Sequence, residues 1–258
     1  MSALQGLVIA FSTFSGIPGP RVSWGSKGMG WALMFLPLVG ICIGAALLGW
    51  FAISQILPDM PVLLAVGYTV IPILITGAIH LDGFCDTADA LASNAEPPRR
   101  QQILRDPHMG AFAVIALVVY ILVFFGLAFS LPATWVFVAA FASVFVLSRA
   151  LGGLATLWFT SAEPSQLALS LRNPRTKTPS TVLLAFWTIA SAAALICFAG
   201  TAGAVALMLS ALVFIAARVW LVRQFGGFSG DLAGWLIQMI ELTALAGLVF
   251  TNLVLQAL

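Results

Sequence analysis

The chain has 258 residues, of which 61% are hydrophobic and only 8% charged, against roughly 45–50% and about 25% in soluble globular proteins. A water-soluble domain is excluded, because it could neither hide so much apolar surface nor cover itself with so few charges. With 11 Lys and Arg against 9 Asp and Glu the net charge is +2, too small for nucleic-acid binding through neutralised phosphates.

A bilayer-spanning helix needs about 20 mostly apolar residues. Residues 1–20 hold an apolar run too short for that, ending in Gly16-Ile17-Pro18-Gly19-Pro20, and read as an interfacial or re-entrant segment. The first basic residue is Arg21, so no charged leader of a cleaved signal peptide precedes it. Seven stretches then qualify as spans, at 33–57, 62–81, 110–130, 134–158, 180–200, 203–222 and 236–257. Pro58-Asp59-Met60-Pro61, Ser130-Leu131-Pro132 and Gly200-Thr201 punctuate their ends. The expected fold is therefore all-α, one polytopic bundle over 1–258. Cys42, Cys85 and Cys197 are far apart and suggest neither a disulfide framework nor a zinc site.

Orientation follows from charge. The loops 18–32, 82–109, 159–179 and 223–235 hold Arg21, Lys27, Arg99, Arg100, Arg105, Arg172, Arg175, Lys177 and Arg223, whereas the opposite loops hold no Lys or Arg. By the positive-inside rule those longer loops face the cytoplasm.

Just after the second span comes His80-Leu81-Asp82-Gly83-Phe84-Cys85-Asp86-Thr87-Ala88-Asp89. At 100° per residue, Asp86 falls about 40° from Asp82 and Asp89 about 20° to its other side. If the span continues as a helix, three carboxylates share one narrow face, an arrangement that repels itself unless cations neutralise it. Hard oxygen ligands at this spacing suit Mg²⁺ or Mn²⁺, which bridge carboxylates to substrate phosphates. His80 points about 200° away from Asp82 on an ideal helix; it joins such a site only if the helix starts or unwinds there, and otherwise sits hydrogen-bonded within the bundle.

Arg99 and Arg100 read as juxtamembrane cations facing anionic lipid. Arg105 enters the third span beside Gly110 and is placed to clamp a phosphate, or serves as one more inside-facing charge. Arg149 lies inside the fourth span. Before the seventh span, Gly226-Gly227-Phe228-Ser229-Gly230-Asp231 offers backbone N–H groups to anions, with Asp231 as cap or metal ligand. Glu241, about 15 Å further along that helix, lies within the bilayer and is a natural partner for Arg149.

These motifs resemble the cobalamin synthase family of adenosylcobinamide-GDP ribazoletransferases. The resemblance rests on His80-Leu-Asp82-Gly83-x-x-Asp86-x-x-Asp89, Arg105-Asp106-x-x-x-Gly110-Ala-Phe and Gly226-Gly-x-x-Gly230-Asp231-x-x-Gly234, with weaker support from Phe14–Pro20 and Pro37-Leu-Val-Gly40. It departs from the family pattern at Gly16, where an Arg is usual, and at Ser161-Ala-Glu163-Pro-Ser, where a Glu-Gly element is expected.

The resemblance implies a Mg²⁺-dependent enzyme of the bacterial inner membrane, its active site facing the cytoplasm. It would transfer the adenosylcobinamide-phosphate moiety of adenosylcobinamide-GDP to the 5′-hydroxyl of α-ribazole or its 5′-phosphate, releasing GMP. On this reading Asp82, Asp86, Asp89 and Asp231 hold metal, Asp89 is the general base with His80 in reserve, and Arg105, Gly227 and Gly230 bind diphosphate or nucleotide. The expected partners are these two substrates and membrane lipid, with a homo-oligomer or association with other cobalamin-assembly enzymes left open. The rival is a cation- or proton-coupled transporter built on Arg149 and Glu241. Against it, the acids cluster at one face and no inverted repeat is visible.

Overall fold

The computed structural model describes residues 3–18, 28–56, 60–161 and 166–258. Arg21, Lys27, the Pro58-Asp59 turn, Gly19-Pro20 and Glu163 lie outside the described residues. Every regular element among the described residues is helical, and one isolated bridge joins Ser161 to Phe228.

Helix α1 (Ala3–Phe14) rises only about 18 Å, too little to cross, and buries Gly6, Ile9 and Ala10 toward the start of α2 (Met29–Ser54). Within α2 a short 3-10 turn at Leu33–Phe35 precedes Pro37, which brings no N–H to the helical ladder. Helix α3 (Pro61–Thr76) opens on a proline, where the missing N–H costs nothing.

The sequence reading let this second span run on through residue 81; the structure ends it at Thr76. Gly77 and Ala78 both adopt left-handed backbone (φ 60° and 62°), and the chain turns by 94° into α4 (Ile79–Ala92). The Ala78 N–H donates to the Ile73 carbonyl at 3.0 Å and the Gly77 N–H to Leu74 at 3.3 Å, a glycine-based helix stop. Ala78 incurs a steric penalty in this conformation. The turn is held from outside as well, since the Gly16 N–H reaches the Ile75 carbonyl at 2.8 Å. The residue that departs from the family pattern thus packs against the break, where a Cβ on Gly16 would stand 3.1 Å from Gly77 Cα.

Short α5 (Pro97–Ile103) precedes α6 (Ala111–Ser130) and α7 (Trp135–Trp158), whose N-terminus is capped by the Thr134 hydroxyl. After α8 (Gln166–Leu171) comes a 52-residue helical run, α9 (Pro174–Phe225), broken at Gly200 (φ 53°, ψ −122°). There the run folds back, and Gly203 packs directly on the Leu195 carbonyl. Its two arms, 174–199 and 201–225, correspond to the fifth and sixth expected spans. Helix α10 (Gly230–Ala257) ends the chain.

Five helices (α2, α6, α7, α9 and α10) are long and apolar enough to cross a membrane, or six if the bent α3–α4 pair is one span. Helix α7 is the centre, packed against α2, α9 and α10. Helix α6 turns Val114, Val118, Leu122 and their neighbours outward, as a lipid-facing helix must. The all-α polytopic bundle expected from composition is what forms.

Candidate active site

Two glycines decide where the acids meet. A Cβ on Gly83 of α4 would come within 2.8 Å of the Asp231 carbonyl, and one on Gly234 of α10 within 2.8 Å of the His80 carbonyl. Only at glycine can the two backbones approach this closely. The contact brings Asp231, in the first turn of α10, against the helix that carries Asp82, Asp86 and Asp89.

Asp231 is held locally. The Ser229 hydroxyl caps α10 by accepting from the Leu232 N–H at 3.3 Å and lies 3.4 Å from Asp231 Oδ2. A carboxylate in a first turn also gains from the helix dipole. Asp82 is exposed, while Asp86, Asp89 and Asp231 are half-buried. The side chains whose charges act on Asp86 are Asp82, Asp231 and Asp89, all acidic. The result is a mutually repelling carboxylate group on one surface. Among the described residues no three His, Cys, Asp or Glu side chains converge on a single point that would hold an ion.

Asp89 has a second engagement. Its Oδ1 accepts from the Ala113 N–H at 3.3 Å, and its carboxylate occupies the space where a Cβ on Gly110 would stand. It caps α6 from a different helix, which explains the glycine at 110 and fastens α4 to α6.

His80 stands apart from the acids. A new helix does start beside it, at Ile79, the condition under which the sequence allowed it to join them, yet the side chain is buried, 5% exposed, with no hydrogen-bond partner on Nε2 among the described residues, and its backbone meets Gly234 of α10.

Arg149 and Glu241 do meet, fully buried, as an ion pair to which the Ser148 hydroxyl adds a 2.9 Å bond on Glu241. One turn before Glu241, Gln238 accepts from the Tyr120 hydroxyl at 2.6 Å. That link was missed from sequence, although Gln238 at i−3 on an apolar helix was a usable signal.

The lipid reading of Arg100 is corrected. Its guanidinium donates to the Gln224 carbonyl at 3.2 Å and to the Gln224 side-chain oxygen, while Gln101 donates to the Phe225 carbonyl at 2.6 Å. Helix α5 therefore satisfies the last carbonyls of α9, just before Gly226 turns left-handed (φ 67°). A cation at a helix C-terminus is also favoured by the dipole. Arg99 bonds to Gln102 and stays exposed to solvent, as a surface cation would. Gly227 is buried in the loop joining α9 to α10, and exposed Gly230 opens α10. Arg105 lies in the exposed turn after α5. Beyond it the Asp106 carboxyl is held below its ordinary range by hydrogen bonds from the His108 ring and amide, the ring contact being 2.7 Å.

With this geometry in hand, comparison is informative. Residues 6–249 match the family model of cobalamin-5-phosphate synthase. The chain belongs to that family. It is 37% identical to the adenosylcobinamide-GDP ribazoletransferase of Lachnoclostridium phytofermentans, over 95% of this chain and 93% of that one. It is 35% identical to the enzyme so named from Pseudomonas fluorescens over 90% and 91%, and 33% identical to that of Geobacillus kaustophilus over 96% of both chains. No solved structure matches it. The match to the family model spans all ten helices except the first residues of α1 and the last turns of α10, so the acidic helix and the glycine loop both lie within it.

Proposed function

We propose that this multi-pass membrane protein is an adenosylcobinamide-GDP ribazoletransferase acting at the cytoplasmic face of the bacterial inner membrane. The observation that carries the reading is the packing of the Asp231 turn of α10 against the helix that bears Asp82, Asp86 and Asp89, within a chain whose relatives bear that name. In the reaction, the 5′-hydroxyl oxygen of α-ribazole bonds to the phosphorus attached to cobinamide. The bridging P–O bond breaks, and GMP leaves with its electron pair.

A divalent cation fits the residues present. Four carboxylates crowd one surface with only acidic charges acting on Asp86. Since no three side chains converge on one point among the described residues, two of Asp82, Asp86 and Asp231 would hold a Mg²⁺ ion, with water and substrate phosphate completing its octahedron. When bound, Mg²⁺ would neutralise the diphosphate and stabilise the leaving oxygen.

The chain's own residues do the rest. The 94° bend sets α4 across the end of α3 and presents its acids beside the loop that opens α10. Arg105 and the N–H groups around Gly227 and Gly230 bind diphosphate or nucleotide oxygens. Asp89 remains the candidate to take the proton from the ribazole hydroxyl, and it does so from a fixed position because Ala113 and Gly110 hold its carboxylate. His80, buried behind the helix, takes no part in that transfer. Lipid contacts the outward apolar faces of α6 and α9, and nothing favours a nucleic-acid partner. The transporter alternative has less behind it, since the mid-membrane charges of Arg149 and Glu241 satisfy each other.

The deciding experiment is GMP release by the detergent-purified protein given adenosylcobinamide-GDP and α-ribazole, with Mg²⁺ or with EDTA. Metal-dependent GMP with a matching cobalamin product is expected. No GMP in an active lipid environment, with both substrates verified, would defeat the reading.

A further inference from the structure

The buried ion pair leaves chemistry unaccounted for. Arg149 has no exposed surface, and Nη1 alone makes its contacts, to the Phe145 carbonyl, the Ser148 hydroxyl and Glu241. Nε and Nη2 have no partner among the described residues. An unsatisfied guanidinium N–H in the hydrocarbon region costs several kcal/mol, so an acceptor is required there.

A cavity adjoins the pair, walled on its polar side by Thr69, Thr76, Tyr120, Arg149, Gln238 and Glu241. It has room for the centre of a water-sized sphere over about 10 Å³, which corresponds to about one water molecule. The hydrogen-bonding of its walls is one-sided. Thr69 and Thr76 commit their hydroxyl protons to their own helix, donating to the Ala65 and Pro72 carbonyls at 2.9 and 2.8 Å. Tyr120 commits its proton to Gln238. What these three offer the cavity is therefore lone pairs, while Arg149 offers N–H groups. A metal ion is disfavoured by the guanidinium and an anion by Glu241 and the ring of acceptors. A neutral molecule that both accepts and donates suits both sides.

We infer that this cavity is an intramembrane hydration site, holding an ordered water that accepts from Arg149 and donates to the hydroxyl groups of α3 and α6. The water joins the α7–α10 ion pair to Thr76, the last residue of α3 before the Gly77-Ala78 break that aims the acidic helix. Arg149 is on this view a positioning residue, acting through water and Thr76 on the direction of α4. That second half rests on the transferase reading; the hydration itself does not.

The test is radiolytic hydroxyl labelling in ¹⁸O-water of the full-length protein in lipid vesicles, read by mass spectrometry. Tyr120 and Phe124 line the cavity yet are buried, so ¹⁸O on either is expected beside labelling of exposed Met109. Labelled Met109 with unlabelled Tyr120 and Phe124 overturns the hydration site. For positioning, Thr76→Val should lower kcat for GMP release roughly tenfold with KM nearly unchanged, as sub-ångström misplacement of reacting groups does, and Thr76→Ser should restore it. Unchanged kcat in Thr76→Val overturns the positioning role. A wild-type protein that releases no GMP defeats the transferase reading instead, and the labelling still decides the cavity.

Discussion

The protein carries charge in two places that obey opposite rules. On α4 and the start of α10, four carboxylates crowd one another at a surface, exposed or half-buried, with no cation among the charges acting on Asp86. Between α7 and α10, one cation and one anion are fully buried and bonded to each other. The first arrangement is one that a bound cation would relieve. The second balances its charge internally, because an unpaired charge in the bilayer interior is expensive while an exposed one is tolerated, although two guanidinium nitrogens of Arg149 still need an acceptor. On the proposed reading, like charge at the surface is where a cation would bind, while paired charge in the interior holds the frame.

The largest effect should come from the surface set. Asp82→Asn and Asp86→Asn are expected to lower GMP release by roughly a thousandfold, a typical cost of losing transition-state charge stabilisation, while circular dichroism and gel filtration in detergent stay unchanged. Near-normal turnover in both variants would make the acids mere surface residues and erase the contrast. Next comes the interior. Arg149→Met or Glu241→Gln alone should destabilise the bundle by about 3–5 kcal/mol, because each strands the other charge. The Arg149→Met/Glu241→Met double variant should recover most of that loss, measured by unfolding in mixed micelles. A double-variant loss equal to the sum of the two single losses would show that the pair is not coupled.

A smaller change probes the junction between the regions. Gly234→Val forces a side chain against the His80 carbonyl and should cost about 1–3 kcal/mol by overpacking, with activity falling more than stability because Asp231 is pushed from Asp82. Asp89→Asn should have the mildest effect on folding, below about 1 kcal/mol, since an amide oxygen still accepts at the cap. Its turnover is the sharper reading. Loss like that of Asp82→Asn puts Asp89 in the proton transfer, whereas near-wild-type turnover leaves it a cap alone.

Much of this was legible in order along the chain. Apolar run lengths mark all the bundle's long segments, and Gly200 announces the fold-back in α9. The acidic spacing is local, so helical periodicity alone places Asp82, Asp86 and Asp89 on one helix. The bend was not legible. Gly77 was visible, but that Ala78 would also turn left-handed depends on the Gly16 amide arriving from 59 residues earlier to satisfy a carbonyl. Helical periodicity also described His80 only relative to its own helix and could not say that the fold buries it. Arg100 was misread for the same reason, since Gln224 lies 124 residues away.

The sequence by itself determined that this is a polytopic all-α membrane protein, which loops carry the positive charge, and which short motif holds the acids. Those properties follow from composition and from patterns shorter than a helix, where hydrophobic transfer and backbone geometry act locally. Only the tertiary structure decided that Asp231 joins the other three acids, that Asp89 also caps α6, and that Arg149 and Glu241 close on each other. Each of these depends on how near two backbones can come, and that distance is set by glycines on separate helices and by the helices packed around them.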